Sequence, residues 1–401
     1  MLMIHSNYAA IEDGLFVVDR KFHDGLSFMA SRLNRRIATA NPRWLGYPAI
    51  MDMIRIPLDE LAYDVLILDL GEQGQLTEAS RGLLDAKINE AGLVIGQSFQ
   101  AGEASRRLGI PYVALVEYDL GTQLVAGTAG LTNPVRKMVR SLRIIGDYHT
   151  RQKTDLRGAF AVHCNGYPIY QATNGLNENR LLYLDSRLSS SAVITKSQLD
   201  DRLASAQARP LRLLYSGRFT AMKGVVDVVK VAIECQRQNV EVEVSLYGQG
   251  EDREQIISLI SSAPYPERIC VFEPVEFPRL MEIAKEYDLF ICCHLQSDPS
   301  CTYIESFGAG LPIVGYGNRM WTALQAQSQA GTVTKMHDIN AVVASIADLA
   351  ADRAQLAMMS HNAREFCLTH SFEAETQKRV NSMNDAIVEV FSNRGHDEHV
   401  H

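Results

Sequence analysis

Glu305 stands among small and apolar residues in the segment SDPSCTYIESFGAGLPIVGY, at residues 297–316. A carboxylate can accept hydrogen bonds from both hydroxyls of a ribose, which suits the recognition of a nucleotide. Just before it, Ser300, Cys301 and Thr302 would bring backbone N–H groups and hydroxyls close to a phosphate. The structural alternative is a glutamate that the helix dipole favours near a helix N-terminus.

Two cations follow another apolar run, in LLYSGRFTAMKG at residues 213–224. The run ends with Gly217 and Arg218, and Lys223 opens a helix five residues later. An arginine fork, a lysine charge and the free N–H groups of a helix start together suit a diphosphate. A solvated arginine and lysine beside a helix start are the simpler interpretation.

A third loop, LYGQGED at residues 246–252, carries Gly248 and Gly250. Glycines let a backbone approach a ligand closely, and a plain turn explains them equally well. The loop is not a G-x-G-x-x-G motif, and no early strand leads into one, which disfavours an NAD-dependent oxidoreductase.

Strand-length apolar runs alternate with helical segments along both halves of the chain, which predicts right-handed crossovers and parallel sheets covered on both faces. The predicted strands are 2–6, 36–40, 64–70, 92–97, 112–118, 159–164, 211–217, 242–248, 268–272, 288–294, 311–316 and 331–335. The predicted helices between them lie near 24–34, 77–90, 99–108, 134–146 and 224–237. Ligands of an open parallel sheet bind beyond the carboxyl ends of its strands, where the three loops above lie.

We therefore expect an α/β fold with two doubly wound domains, at residues 1–195 and 205–375. The polar, serine-rich segment 185–210 is predicted to be the hinge between them. A last amphipathic helix, at 376–395, is predicted to pack back on the first domain.

The composition excludes several classes of protein. The chain has 401 residues, 46% hydrophobic and 21% charged, which suits two soluble globular domains. Its net charge of −8 argues against general nucleic-acid binding. Seven cysteines without a C-x-x-C pattern disfavour a disulfide framework or a zinc site. No apolar run approaches the ~20 residues of a membrane span, and the start lacks a signal-peptide pattern, so we expect a cytoplasmic protein.

In this order and spacing, SGRFTAMKG, YGQGED and SDPSCTYIESFGAGLPIVGY resemble the donor-binding half of the family-four retaining glycosyltransferases of GT-B fold. The family pattern is G-R-x4-K-G, then a glycine loop, then E-x7-E and a small-residue helix before G-x-P-V-V. The resemblance is specific over 205–375 and weaker over 1–190. It implies two facing Rossmann-like domains, a nucleotide-diphosphate sugar donor expected to be a UDP-hexose, and retaining transfer to a saccharide or lipid-linked saccharide acceptor in polysaccharide or glycolipid biosynthesis.

Carried over residue by residue, the resemblance assigns Arg218 and Lys223 to the diphosphate, which they would stabilise as the leaving group. Gly217 and Gly248 would lie beside the donor, and Glu305 would hold the ribose. No cofactor is expected beyond the donor itself. No metal is expected either, because the sequence has no D-x-D and the two cations would serve in its place.

Two positions depart from the family pattern. The first glutamate of E-x7-E falls on Ser297, and we expect the neighbouring Asp298 to replace it at the donor sugar. The histidine-aspartate pair of many relatives corresponds to Tyr118–Asp119, where Glu117 or Asp119 would orient the acceptor. These departures leave two alternatives open: a catalytically degenerate GT-B partner protein that binds nucleotide, or a sugar-nucleotide epimerase.

A basic segment, residues 134–157, contains seven basic and two acidic residues. Relatives that act on lipid-linked acceptors turn such patches of their first domain towards the membrane, so peripheral contact with the inner face of the membrane is one expectation. A solvated amphipathic helix is the other. The sequence does not indicate an oligomeric state.

Overall fold

Parallel sheets form the centre of both halves of the chain. The computed structural model describes residues 1–4, 7–33, 35–44, 52–72, 74–96 and 99–397. The chain divides into a first unit, Met1–Tyr183 together with the chain from Glu375, and a second unit, Leu184–Ala374. Among the described helices, none combines the length and apolar character required to cross a bilayer.

The first unit contains ten strands and seven helices among its described residues up to Tyr183. The strands are β1 (Leu2–Ile4), β2 (Ala10–Glu12), β3 (Leu15–Asp19), β4 (Ala38–Pro42), β5 (Met53–Pro57), β6 (Asp64–Leu68), β7 (Val94–Gly96), β8 (Tyr112–Val116), β9 (Ala161–Asn165) and β10 (Arg180–Tyr183). The helices are α1 (Arg20–Ala30), α2 (Glu78–Glu90), α3 (Phe99–Arg107), α4 (Leu120–Thr128), α5 (Pro134–Asp147), α6 (Lys153–Gly158) and α7 (Tyr167–Ala172).

Seven of these strands form a parallel sheet in the order β10-β9-β8-β7-β1-β4-β6. Successive side chains of a strand point to opposite faces, and β1 shows the result: Leu2 and Ile4 join one apolar core, whereas Met3 joins the other. Both faces of the sheet are therefore buried. The predicted doubly wound parallel architecture is confirmed here.

A small antiparallel sheet, β2-β3-β5, was not predicted. Its first two strands are joined through Asp13 and Gly14, whose φ values are 50° and 80°. An Asp-Gly pair with both φ values positive is the usual two-residue hairpin turn. The sequence therefore carried a signal for this hairpin that the search for helix–strand alternation did not use.

The second unit contains a six-stranded parallel sheet in the order β13-β12-β11-β14-β15-β16. Its strands are β11 (Leu211–Ser216), β12 (Val242–Tyr247), β13 (Ile269–Phe272), β14 (Leu289–Cys292), β15 (Ile313–Tyr316) and β16 (Gly331–Thr334). The remaining helices are α8 (Lys196–Ser205), α9 (Val225–Arg237), α10 (Arg253–Ser261), α11 (Phe277–Ala284), α12 (Thr302–Gly308), α13 (Arg319–Ser328), α14 (Ile339–Ala351), α15 (Arg353–Thr369) and α16 (Phe372–Asp397). All six strands predicted in this half are present.

The predicted hinge, residues 185–210, is wrong as a linker, because it folds as part of the second unit. It contains α8, which starts with a capping box made by Thr195 and Gln198. On the same helix, the buried Arg202 donates to the carbonyl oxygens of Ala309 and Gly310 at 2.7 and 2.6 Å. Serine and threonine in this segment serve as helix caps, which explains why the composition resembled a linker.

The last helix, α16, contributes Val380, Met383, Ala386 and Ile387 to an apolar core of the first unit. His163 of β9 also contacts it, with its Nε2 2.9 Å from Ser382 Oγ. The final helix therefore packs on the sheet of the first unit.

Candidate functional site

Three loops follow strands of the second sheet and meet at the carboxyl ends of those strands. The loop after β11 is hydrogen-bonded to the loop after β12, because Phe219 N donates to Gln249 O at 2.8 Å. It is also bonded to the loop after β14, because Leu295 N donates to Met222 O at 3.0 Å. In a parallel sheet this edge is the ordinary ligand-binding edge.

Lys223 reaches this edge through a constrained backbone. It ends a 3₁₀ turn, and the next residue, Gly224, has φ of 64° before α9 begins. A Cβ at Gly224 would lie 1.9 Å from the carbonyl oxygen of Cys293, so only glycine fits. The buried Nζ of Lys223 then donates to Oδ2 of Asp298 at 2.9 Å. The structure thus brings together two of the residues that the sequence singled out.

Two polar atoms of this cluster have no hydrogen-bond partner among the described residues: Oδ1 of Asp298 and Nδ1 of His294. His294 is 1% exposed. Burial, and secondarily the charge of Lys223, hold the pKa of His294 well below its usual range, so the imidazole is neutral. Buried polar atoms normally have partners, so these two atoms are candidate contacts for a polar ligand.

His294 was missed by sequence reasoning, although its position carried a signal. It comes two residues after the end of β14, at the carboxyl edge of the sheet. It closed the apolar run 288–294 and was therefore counted with the strand rather than with the site.

Glu305 is buried in the middle of α12 and is paired within the second unit. Its Oε1 accepts from Nε of Arg187 at 2.8 Å. The Arg187 guanidinium also lies over the ring of Phe277, 4.0 Å from its centroid. A guanidinium held by an aromatic face and a carboxylate fixes the direction of that carboxylate. Arg187 was not predicted, since it lies in the segment 185–210 that was interpreted as a hinge.

Arg218 differs from Lys223 because its side chain is exposed. Its backbone oxygen accepts from the buried Tyr215 hydroxyl at 2.9 Å, which fixes the loop beneath the guanidinium. The exposed guanidinium is free to meet a ligand at the same edge that holds Lys223.

The glycines of these loops serve packing between the loops. A Cβ at Gly248 would lie 2.0 Å from the carbonyl oxygen of Gly217, and a Cβ at Gly250 would lie 2.4 Å from that of Phe219. Close approach of one loop to the other therefore accounts for Gly248, which the sequence had assigned to contact with a ligand.

The small polar residues before α12 form a local network. Ser300 Oγ donates to Thr302 Oγ1 at 3.1 Å, and Ser300 N donates to Asp298 O at 2.9 Å. Cys301 is half-buried and directly precedes the helix. Ser297 accepts from Arg319 N at 3.1 Å. The segment is therefore anchored at both ends by hydrogen bonds.

Asp119 belongs to the first unit and is 2% exposed. Its Oδ1 accepts from Thr122 N at 2.8 Å, so this carboxylate caps α4. Capping explains the residue without any catalytic role. The neighbouring Tyr118 is 41% exposed.

Comparison with known proteins bears on this arrangement. Residues 200–366 match the family described as glycosyl transferases group 1. The matched range covers Lys223, His294, Asp298 and Glu305, so the predicted resemblance is confirmed for the part of the chain that holds the candidate site.

Among characterised relatives, the chain is 25% identical over 131 residues to the UDP-N-acetylglucosamine–peptide N-acetylglucosaminyltransferase GtfA subunit of Streptococcus pneumoniae serotype 4. The match covers 31% of the chain and 25% of the relative, so the chain spans about a quarter of that protein's length.

Two solved structures are similar over nearly the whole chain. Anabaena HepE in complex with UDP-glucose has a TM-score of 0.63 at 15% identity, covering 98% of this chain and 100% of its own. Sucrose-phosphate synthase from Thermosynechococcus elongatus has a TM-score of 0.66 at 13% identity, covering 98% and 99%. At such identities the similarity concerns the fold, and it confirms the predicted GT-B fold class.

Proposed function

We propose that the chain is a retaining glycosyltransferase that moves a hexose from a UDP-sugar to a saccharide or lipid-linked saccharide acceptor without a metal ion. One observation carries the proposal: a buried lysine lies beside two unpartnered polar atoms at the ligand-binding edge of a group 1 glycosyltransferase domain. The choice of UDP is supported by HepE, whose structure holds UDP-glucose, and by the UDP-linked sugar named for the streptococcal relative.

The leaving group would be stabilised by cations of the chain itself. Lys223 and the exposed Arg218 would bind the diphosphate and carry the charge that develops as the sugar–phosphate bond breaks. Glu305, held in direction by Arg187, would accept from the ribose hydroxyls. The hydroxyls of Ser300 and Thr302 and the backbone at Cys301 would complete the phosphate contacts.

The donor sugar would lie against Asp298 and His294. The unpartnered Oδ1 of Asp298 is an acceptor for a sugar hydroxyl, and Nδ1 of the neutral His294 is a second polar contact. Retention follows if the acceptor attacks the face that the diphosphate leaves. Asp119 stays a proposal as an orienting group for the acceptor.

Calorimetry with UDP tests the site. Lys223→Met should weaken UDP binding about 10- to 100-fold, because a charge-assisted hydrogen bond contributes about 1.5–3 kcal/mol. Lys230→Met is the matched control, since Lys230 lies in the same unit on α9 and its side chain is 50% exposed. Equal affinity in the two variants would contradict the assignment.

Isotopically labelled UDP-sugars test the activity. Transfer or slow hydrolysis supports the proposal, and Asp298→Asn should then lower the turnover. Binding without turnover would indicate a degenerate partner protein, and an epimerised product would indicate an epimerase.

A further inference from the structure

Three aromatic side chains follow strands of the first sheet, at its carboxyl edge. Tyr8 follows β1, Trp44 follows β4 and Tyr118 follows β8. Tyr8 is 47% exposed, Tyr118 is 41% exposed and Trp44 is half-buried. Open parallel sheets bind their ligands at this edge, and aromatic side chains are common in the lining of ligand sites. The three rings are therefore candidate contacts for a ligand of the first unit.

The backbone fixes Tyr8 and Trp44 beside each other. Ala9, the residue after Tyr8, accepts with its carbonyl oxygen from Trp44 N at 2.9 Å. The buried side chain of Asn41 donates to Asn7 O at 2.9 Å, which holds the turn before Tyr8. The centroids of the two rings lie 6.1 Å apart, and the ring planes make an angle of 49°. Hydrogen bonds between the two loops therefore present both rings together.

Polar side chains lie at the same edge, next to the two rings in the sequence and in the sheet. Arg43 precedes Trp44, and its Nε donates to Oδ1 of Asp69, which directly follows β6. The side chains of Arg43 and Asp69 are 42% and 52% exposed. The C–H face of a pyranose packs on an aromatic ring, while its hydroxyls bond to donors and acceptors at the margin of that ring. Aromatic rings beside exposed hydrogen-bonding groups therefore suit a saccharide better than a lipid chain.

We propose that Tyr8 and Trp44 form a stacking surface for the saccharide acceptor, so that the first unit recognises the sugar rings of the acceptor and not a lipid anchor. The strands β8, β7, β1 and β4 are neighbours in this order. Tyr118, Tyr8 and Trp44 are therefore distributed over about 14 Å of the edge, the length of a short oligosaccharide, and we expect more than one sugar ring to be bound. The inference rests on the proposed function for the role of the saccharide as acceptor.

Tryptophan fluorescence of the full chain tests saccharide binding without donor or turnover. The chain has two tryptophans, and Trp321 is fully buried in the second unit, so a change caused by a saccharide will report on Trp44. The probes are cellotriose, β-1,4-galactotriose and chitotriose, because their extended chains present the C–H faces of the rings. At least one of them should change the emission until it saturates. Sorbitol, which has the hydroxyls without the ring, should not change it.

Variants separate stacking from simple apolar contact. Tyr8→Leu should weaken the saccharide affinity about tenfold, because leucine is apolar but has no ring. Tyr8→Phe retains the ring and should bind like the unchanged chain. Tyr265→Leu is the matched control, since Tyr265 is also 47% exposed but lies in the second unit, and it should bind normally. Trp44→Leu should abolish the fluorescence change and lower the affinity measured by calorimetry about tenfold.

A transfer assay separates this inference from the proposed function. Tyr8→Leu should raise the KM for the acceptor about tenfold and leave kcat and the UDP affinity unchanged. Saccharide binding that Tyr8→Leu weakens, in a chain that transfers no sugar, would support the stacking surface and contradict the proposed activity. Transfer with the same acceptor KM in Tyr8→Leu and Tyr265→Leu would refute the stacking surface and support the activity.

Three other results would overturn the proposal. The first is that none of the three saccharides binds in the millimolar range. The second is weaker UDP binding in Tyr8→Leu, which would assign the ring to the nucleotide. The third is a dimer, measured by light scattering, that Tyr8→Leu disperses, which would assign the rings to a second copy of the chain. Circular dichroism will show that each variant is folded.

Discussion

Asp298→Asn removes the negative half of a buried ion pair. The side chains of Lys223 and Asp298 are 10% and 12% exposed, and Nζ lies 2.9 Å from Oδ2. Leaving one partner of a buried pair without its counter-charge costs about 3–5 kcal/mol. Asparagine retains one acceptor, so we expect a loss of about 3 kcal/mol for the second unit. For a unit of this size that lowers the unfolding temperature by about 6–12 °C.

The affinity for UDP should rise in Asp298→Asn, although the stability of the unit falls. In the proposed complex of the unchanged chain, the diphosphate would share Lys223 with the Asp298 carboxylate, and the two anions would repel each other. Without that carboxylate, the phosphate supplies the missing counter-charge to Lys223. We therefore expect UDP to bind about tenfold more tightly to Asp298→Asn, a gain of about 1.4 kcal/mol. UDP should also raise the unfolding temperature of the variant more than that of the unchanged chain.

A second buried pair gives the control. Arg209 Nη1 donates to Asp288 Oδ2 at 2.6 Å, and Asp288 is fully buried. This pair precedes β11 and β14 and so lies at the amino ends of the strands, away from the candidate site. Asp288→Asn should lower the unfolding temperature without changing the UDP affinity. Calorimetry that shows unchanged or weaker UDP binding in Asp298→Asn would refute the reasoning.

Three further predictions concern single residues. Arg187→Met should destabilise the second unit by about 1.5–3 kcal/mol, because it leaves the buried Glu305 carboxylate without its charged donor, and it should weaken UDP binding in the same calorimetric assay. Gly224→Ala should destabilise the unit by at least ~1–3 kcal/mol through backbone strain, measured by urea unfolding, whereas Gly82→Ala in α2, where a Cβ meets nothing within 4 Å, should stabilise by up to ~1 kcal/mol. Burial lowers the pKa of His163 to about 3 from its ordinary value of 6.5, so the unfolded chain takes up the proton first as the pH falls. The stability that this residue contributes is complete above pH 6.5 and falls by ~2 kcal/mol at about pH 5; His163→Gln should show a smaller loss of unfolding temperature over that range, and an equal loss would contradict the assignment.

The parallel sheets were predictable from the sequence because their pattern is local. A strand buried on both faces is a short continuous apolar run, and such runs marked β11 to β16 correctly. The antiparallel strands were missed because they do not alternate with helices, and their evidence lay in the turn at Asp13–Gly14. The hinge was misjudged because caps and linkers use the same residue types.

Site residues could be predicted where their position in the sequence, just after a strand or near the start of a helix, indicates a ligand contact. Lys223 and Glu305 are such residues. The partners of these residues could not be predicted in this way. Arg187 reaches Glu305 from a position 118 residues earlier in the chain, and no spacing rule relates the two. His294 became recognisable once its buried imidazole was seen beside Lys223, because a histidine that ends an apolar run is usually a core residue.

Ser297 stands where the E-x7-E pattern has its first glutamate. Contacts with α13, the helix that follows β15, show what Ser297 does there. Ser297 Oγ accepts from Arg319 N, and the side chain of Asn318 donates to His294 O at 3.2 Å while it caps α13. The start of α13 therefore holds the whole loop, and residue 297 is engaged with backbone rather than with the site. The next side chain, Asp298, then lies against Lys223. A carboxylate one position later would restore the acidic group of the E-x7-E pattern, which is the physical reason to expect Asp298 to act on the donor sugar.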